Sequence, residues 1–336
     1  MSALSNFFRL RDGAGRTPPL VRLIQRGETE SALRLILAPL GQRATHESIL
    51  EFLQFALYRG IDLTRTFGLF DGAKLVWAAL PVVAPGRTML VMTPPTPPRP
   101  ALLPHVIRLL DELCQTHAER GVHIAQVLLE PAAVALVELL GQARFSRLAE
   151  LIYLHREVKR APGVALPPGM MLQTYSSQNH SRFAHAVQRS YVGSLDCPPL
   201  NGRRDIEDIL AGHRAGGDFD PAHWFVLIER DRPIAALLLA GIPAQRGMEL
   251  VYLGLTPEAR GRGVGDLLMR VALRTVLEAR FEFLTLAVDA MNHPAIRLYE
   301  RHGFRRLYSR LALLRDIRDE RAPLPESSGQ STRASL

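Results

Sequence analysis

The chain has 336 residues, 47% of them hydrophobic and 22% charged, with a formal net charge of +8. That length holds two ordinary domains, and that composition is one of a folded globular protein and excludes a disordered chain. No apolar run reaches membrane-spanning length, since 124–140 is broken by Gln126, Glu130, Pro131 and Glu138, and the first residues lack the long apolar stretch of a secretory signal.

All but two of the 41 basic residues are arginines, the exceptions being Lys74 and Lys159. The arginines are scattered, and no basic tract is interleaved with aromatic residues, so nucleic-acid binding is not expected. The balance would suit a polyanionic small ligand. The two cysteines, Cys114 and Cys197, have neither metal-site spacing nor a disulfide framework. A reducing cytoplasm is the expected location, with no membrane association and no bound metal.

In chain order, a first strand is expected over 21–25 and helices over 28–40 and 46–58. Strands follow at 67–70 and 75–83 around the turn Asp71-Gly72, and another at 88–93. Then come a loop, Pro94-Pro95-Thr96-Pro97-Pro98-Arg99-Pro100, a helix over 102–120, a strand over 124–130 and a short helix over 131–140. A Pro/Gly-rich linker, 160–169, separates this half from a second run of the same pattern. The second run has a strand at 171–175, helices at 181–191 and 204–213, and strands at 225–229, 234–242 and 248–256. A helix at 266–280 and a strand at 283–289 complete it.

The halves align at an offset of about 159 residues, and the best stretch is 144–158 against 303–317. Phe145, Arg147, Leu148, Leu154 and Arg156 are identical to Phe304, Arg306, Leu307, Leu313 and Arg315. The expected organisation is therefore a repeat: a first copy over 1–159, the linker 160–169, a second copy over 170–318 and a tail over 319–336. The tail and the first twenty residues are expected to be poorly ordered.

The copies differ after the fourth strand. In the second, the strand runs into Arg260-Gly261-Arg262-Gly263-Val264-Gly265 and then a helix. Glycines there let successive N–H groups converge, and the helix adds the positive end of its dipole, which makes a cradle for a diphosphate. The first copy has prolines in that place, and proline has no N–H to offer. Further on, Asn292-His293-Pro294-Ala295-Ile296-Arg297-Leu298-Tyr299 runs to Gly303-Phe304, with Asn292 placed to cap a helix and Gly303 to end it. Leu140 stands in the first copy where Tyr299 stands in the second.

These two segments, R-G-x-G-x-G after a strand and N-x-x-A-x-x-L-Y-x-x-x-G-F after the next, resemble the two signatures of the GNAT acyltransferase superfamily. The resemblance implies an α/β chain of two tandem domains. Each would be a mixed, largely antiparallel twisted sheet flanked by helices, with splayed parallel strands at the acyl-CoA site of the second. The first copy reads as degenerate and without catalysis, packing against the second and shaping the acceptor cleft.

The resemblance further implies transfer of acetyl, or another short acyl group, from CoA to a small-molecule or peptide amine. The pantetheine arm would lie on the strand edge near Leu253 and Leu255. The pyrophosphate would sit on Gly261, Arg262, Gly263, Val264 and Gly265, with Arg260 and Arg262 as charge partners and Asn292 nearby. Tyr299 matches the family's general acid, and its ordinary pKa of about 10 against about 8.5 for a thiol reads as favouring donation to the thiolate. Glu249 is the candidate base, with ordered water as the alternative. Period-two alternation places Glu249 on one face with Val251 and Leu253, and Tyr252 on the other. The oxyanion would be met by backbone N–H near Leu255. The segment 193–199 is a candidate lining of the acceptor pocket. A non-catalytic acyl-CoA-binding protein is the alternative function, and the acceptor and the oligomeric state are left open.

Overall fold

The structure, a computed structural model, describes residues 18–160 and 162–318. The tail and most of the first twenty residues, expected to lack order, lie outside the described residues. The first half contains β1 (Leu20–Leu23), α1 (Thr29–Ile36), α2 (His46–Arg59), β2 (Phe67–Asp71), β3 (Lys74–Ala84), β4 (Thr88–Met92), α3 (Leu103–Ala118), β5 (Ile124–Leu129), α4 (Val134–Gln142) and β6 (Ser146–Glu157). The second repeats that order with β7 (Met170–Thr174), α5 (His180–Ser190), α6 (Ile206–Arg214), β8 (Trp224–Glu229), β9 (Arg232–Ile242), β10 (Gly247–Leu255), α7 (Val264–Glu278), β11 (Phe283–Asp289), α8 (His293–Arg301) and β12 (Arg305–Asp316). Among the described residues no helix is long and apolar enough to cross a membrane.

The described residues form two compact units, one running up to Pro81 and including Thr93–Leu113, the other made of Val82–Met92 and the described residues from Cys114 on. In the first, β1, β2 and β3 make an antiparallel sheet, and Leu33, Leu69, Trp77 and Leu80 are fully buried in its core. The Trp77 indole N–H donates to the Thr96 carbonyl at 3.3 Å, which fixes part of the proline-rich loop. Helix α2 is capped at both ends: the Ser48 amide donates to Thr45 Oγ1, and Gly60 closes the helix at φ 65°.

In the second unit nine strands run in the order β4-β5-β12-β6-β11-β10-β9-β8-β7. The pairs β4/β5 and β10/β11 are parallel, and the other pairings between these strands are antiparallel. The two copies exchange their last strands. β6 pairs with β11 from Phe283↔Glu157 to Asp289↔Leu151, and β12 pairs with β5 from Asp316↔Ile124 to Leu311↔Leu129. The two registers are the same under the repeat offset.

The exchange carries a matched pair of arginines. Arg156 donates from Nη1 to the His302 carbonyl at the end of α8, and Arg315 donates from Nη1 to the Ala143 carbonyl at the end of α4, at 2.9 Å. Each guanidinium thus satisfies a carbonyl at the negative end of the other copy's helix. β5 and β6 are bound into this sheet, so the second compact unit takes strands of the first copy as well as those of the second.

The second half of the sheet is covered on both faces. Residues of α7 and α8 share a core with Met248, Leu250, Leu284 and Leu286, while those of α5 and α6 share one with Trp224, Val226, Leu238 and Tyr252.

Candidate functional site

The parallel strands β10 and β11 are in register only at Gly247↔Phe283, Met248↔Leu284 and Glu249↔Thr285. Beyond that β10 continues on β9 as far as Leu255↔Ala235, so the stretch after Glu249 has no strand beside it on its β11 side. A cavity of about 580 Å³ opens there, lined by 250–255 of β10, by Ala287 and Val288 of β11, and by residues of the α7 and α8 starts. An unpaired strand edge beside a cavity can take an extended ligand as an added strand. Leu253 and Leu255 both line it, as expected.

The glycine loop stands at one end. Gly261 and Gly263 hold φ of 72° and 77°, the left-handed region that favours glycine, and α7 begins at Val264. Gly261, Gly263, Val264 and Gly265 all line the cavity, and the first N–H groups of a 15-residue helix have no intrahelical acceptor. A Cβ on Gly265 would stand 3.1 Å from Leu298 Cδ2. The loop packs closely on α8.

The arginines of the loop are placed differently from the expectation. Arg260 lines the cavity but spends its fork on carbonyls, donating from Nη2 to Ser190 at 2.8 Å, Nη1 to Gly193 at 3.1 Å and Nε to Leu255 at 3.3 Å. It is a clamp between the end of α5 and the end of β10. The Arg262 side chain does not line the cavity. Glu229 holds it in a bidentate pair at 2.6 and 3.0 Å.

Tyr299, on α8, lines the cavity with its ring buried against Phe304, at 5.8 Å between centroids. Burial, and then the charge of Asp196, raise its pKa well above the ordinary value. This corrects the expected proton ordering. A donor with a higher pKa than the acceptor's conjugate acid gives up its proton uphill, and burial makes Tyr299 a weaker acid still. The tyrosine can therefore serve as a hydrogen-bond donor that tightens on a developing thiolate, with transfer completed only once that charge has formed. Asn292 accepts from the Ala295 amide at 3.3 Å, capping α8, and also lines the cavity.

Glu249 does not line the cavity. The alternation from which its face was read is broken, because β10 shifts register against β9 between Leu250 and Tyr252. One extra residue reverses the phase of a strand. Leu253 and Leu255 consequently pack with Met248 and Leu250 on the α7 side, and Tyr252 packs on the α5 side, which is also the side of Glu249. The Glu249 carboxyl has a raised pKa because it is buried.

A further part of the cavity wall is polar and was only coarsely legible. Of the segment 193–199, Gly193, Ser194, Leu195 and Asp196 line it. Asp196 accepts from the Asp289 amide at 3.2 Å and bonds the Asn292 side chain, while the Cys197 amide donates to Asp289 Oδ2 at 3.1 Å. Burial raises the Asp196 pKa, with the neighbouring Asp289 charge adding to it. The same surroundings push the Cys197 thiol up to about 12, which keeps it protonated and disfavours a nucleophilic thiolate there. Tyr191 and Tyr252 complete this part of the wall, the Tyr252 hydroxyl lying 2.6 Å from Ser190 Oγ. A lone loop carboxylate among polar residues gives no periodic signal, so Asp196 was not singled out.

Behind Tyr252 lies His213, its ring centroid 5.0 Å away. Burial, then the charge of Arg204, lower its pKa to about 4 from 6.5. The unfolded chain takes up this proton near the ordinary value and the folded chain only near the lower one. Stability is thus complete above that window and falls as the pH drops through it, by roughly 3 kcal/mol at most. His213→Phe is expected to flatten the fall of the urea midpoint between about pH 6.5 and 4. An unchanged slope would remove His213 as its cause.

With this geometry in place, the model of the acetyltransferase (GNAT) family matches residues 191–304. That segment belongs to the GNAT family. The chain is 31% identical over 194 residues to the mycothiol acetyltransferase of Acidothermus cellulolyticus, covering 52% of this chain and 56% of that protein. It is 35% identical over 141 residues to that of Streptomyces avermitilis, covering 42% of this chain and 41% of that one. The chain thus spans about half the length of the curated relatives it matches. Among solved structures, a GCN5-related N-acetyltransferase from Sphaerobacter thermophilus superposes with a TM-score of 0.59 at 14% identity, over 89% of this chain and 96% of that one. This shows the fold: the α/β GNAT architecture extends over most of the chain.

Proposed function

We propose that the chain is an acyl-CoA-dependent N-acyltransferase that moves acetyl from acetyl-CoA to a primary amine of a small molecule or peptide, by direct attack in a ternary complex. The carrying observation is that one cavity joins the glycine cradle at the start of α7, the unpaired edge of β10 and Tyr299. The diphosphate would rest on the amides of 261–265 and the pantetheine arm on the edge near Leu253 and Leu255. The amine nitrogen attacks the thioester carbon, backbone N–H near Leu255 meets the oxyanion, and Tyr299 donates to the departing sulfur. Proton removal from the ammonium falls to a carboxylate with a raised pKa or to ordered water. Asp196, which lines the cavity, joins Glu249 as a candidate, and a small-molecule amine accords with the relatives named above.

The repeat 1–159 and 170–318 is read as a degenerate copy followed by the catalytic one. Prolines between β4 and α3 remove the donors that the second copy supplies.

Calorimetric titration of acetyl-CoA, with a mass screen of primary amines, tests the reading. Gly263→Val places a β-branched residue at φ 77° and is expected to weaken binding about tenfold through backbone strain. Absence of binding to the unaltered chain would sink the proposal. Binding without any acetylated product would instead mark a non-catalytic acyl-CoA-binding protein.

A further inference from the structure

Phosphate recognition normally recruits guanidinium groups, because a planar fork fits two phosphate oxygens. Here the two arginines of the glycine loop are committed elsewhere. All three contacts of the Arg260 fork end on backbone carbonyls, and both donors of Arg262 that reach a carboxylate reach Glu229. A third arginine also borders the cavity. Arg301 closes α8, the helix that brings Asn292 and Tyr299 to the same cavity, and its side chain is 58% exposed.

Arg301 is held lightly. Its Nη2 stands 3.3 and 3.2 Å from the two oxygens of Asp266, in the first turn of α7 and also at the cavity wall. Those distances are long for a charge-assisted bond, and an exposed pair of this kind is a weak hold. Asp266 does not lose its only neighbour if Arg301 leaves, because His302 Nε2 is 3.2 Å from Oδ1. The carboxylate therefore parks the guanidinium beside the cradle at little cost to its release.

We propose that Arg301 is the side chain that meets a phosphate of the acyl donor's nucleotide, exchanging Asp266 for it on binding. This rests on the acetyl-CoA reading above. The phosphate is either the diphosphate seated on the α7 amides or the 3′-phosphate of the ribose, and the ligands used in the test separate the two.

CoA, dephospho-CoA (which lacks the 3′-phosphate) and 4′-phosphopantetheine (which lacks the whole nucleotide) would be titrated calorimetrically. The proteins are the unaltered chain, Arg301→Ala, Arg301→Lys and Arg306→Ala. Arg306, on β12, pairs with Glu300 at 3.7 Å and does not line the cavity, so it controls for loss of one positive charge. Arg301→Ala is expected to weaken CoA binding about tenfold, with Arg301→Lys recovering part of the loss and Arg306→Ala staying within about twofold. If the partner is the 3′-phosphate, the advantage of CoA over dephospho-CoA disappears in Arg301→Ala. If it is the diphosphate, CoA and dephospho-CoA weaken alike, and phosphopantetheine, which keeps the pantetheine-side phosphate, weakens with them only if that phosphate is the one Arg301 meets. Thermal midpoints near that of the unaltered chain verify that the variants are folded.

Arg301→Ala binding CoA within twofold of the unaltered chain, or Arg306→Ala losing as much as it does, overturns the assignment while leaving the donor reading intact. An unaltered chain that fails to bind CoA overturns both.

Discussion

Tyr299→Phe is expected to leave acetyl-CoA affinity within about twofold and to lower the acetylation rate at saturating donor by about a hundredfold or more, the usual scale for a positioned proton donor. The substitution keeps the ring, which is buried in the core shared by α7 and α8, and removes only the hydroxyl. The amides of the glycine loop and the β10 edge, which hold the donor in the proposed reading, are untouched. The loss should therefore fall on kcat and leave the donor's dissociation constant alone. The pH profile supplies a second readout. With burial and Asp196 both raising the tyrosine's pKa, Tyr299 stays protonated through the neutral range and above the ordinary tyrosine value. A basic limb belonging to this group would appear only above pH 10, and it would vanish in the phenylalanine variant. A variant with undiminished kcat would show that the thiolate takes its proton from water, with Tyr299 serving as a packing residue.

What could be read from the sequence was local, and what could not was tertiary. The cradle was legible because glycines at 261 and 263 need no partner to declare a left-handed backbone before a helix. Asn292 and Gly303 likewise declare the ends of α8 by themselves. The occupancy of the two loop arginines was not legible, since Glu229 and the carbonyls of Ser190 and Gly193 arrive from distant parts of the chain. The side of β10 on which Glu249 stands was misread for a single reason, the register shift next to Val251, which reverses an otherwise sound alternation. The strand exchange was half visible. Its two strands are the best-matched stretch of the repeat, and each holds the same position in the sheet relative to its partners, so similar environments selected similar residues. Nothing in the match says that β6 leaves β5 for β11, because pairing partners are set by tertiary contacts.

That exchange makes the second copy dependent on the first. A fragment of residues 170–318, which holds every residue assigned to the site, is expected to be insoluble or to unfold without a cooperative transition. It lacks β6, which lies between β11 and β12, so both strands would present unpaired edges. It also lacks Ile152, Leu154 and Val158, which are buried in the same core as α7 and Tyr299. At about 2 kcal/mol for each aliphatic side chain, their absence removes roughly 6 kcal/mol, comparable to the whole stability of a small domain. The Arg156 bond to the His302 carbonyl at the end of α8 goes as well. A longer fragment, 144–318, restores β6 and Arg156 while leaving β12 without β5, and it is expected to recover soluble, acetyl-CoA-binding protein in greater yield. If 170–318 alone unfolds cooperatively within a few degrees of the full chain and binds acetyl-CoA as well, β6 is an accessory edge, and the catalytic copy is self-sufficient despite the exchange.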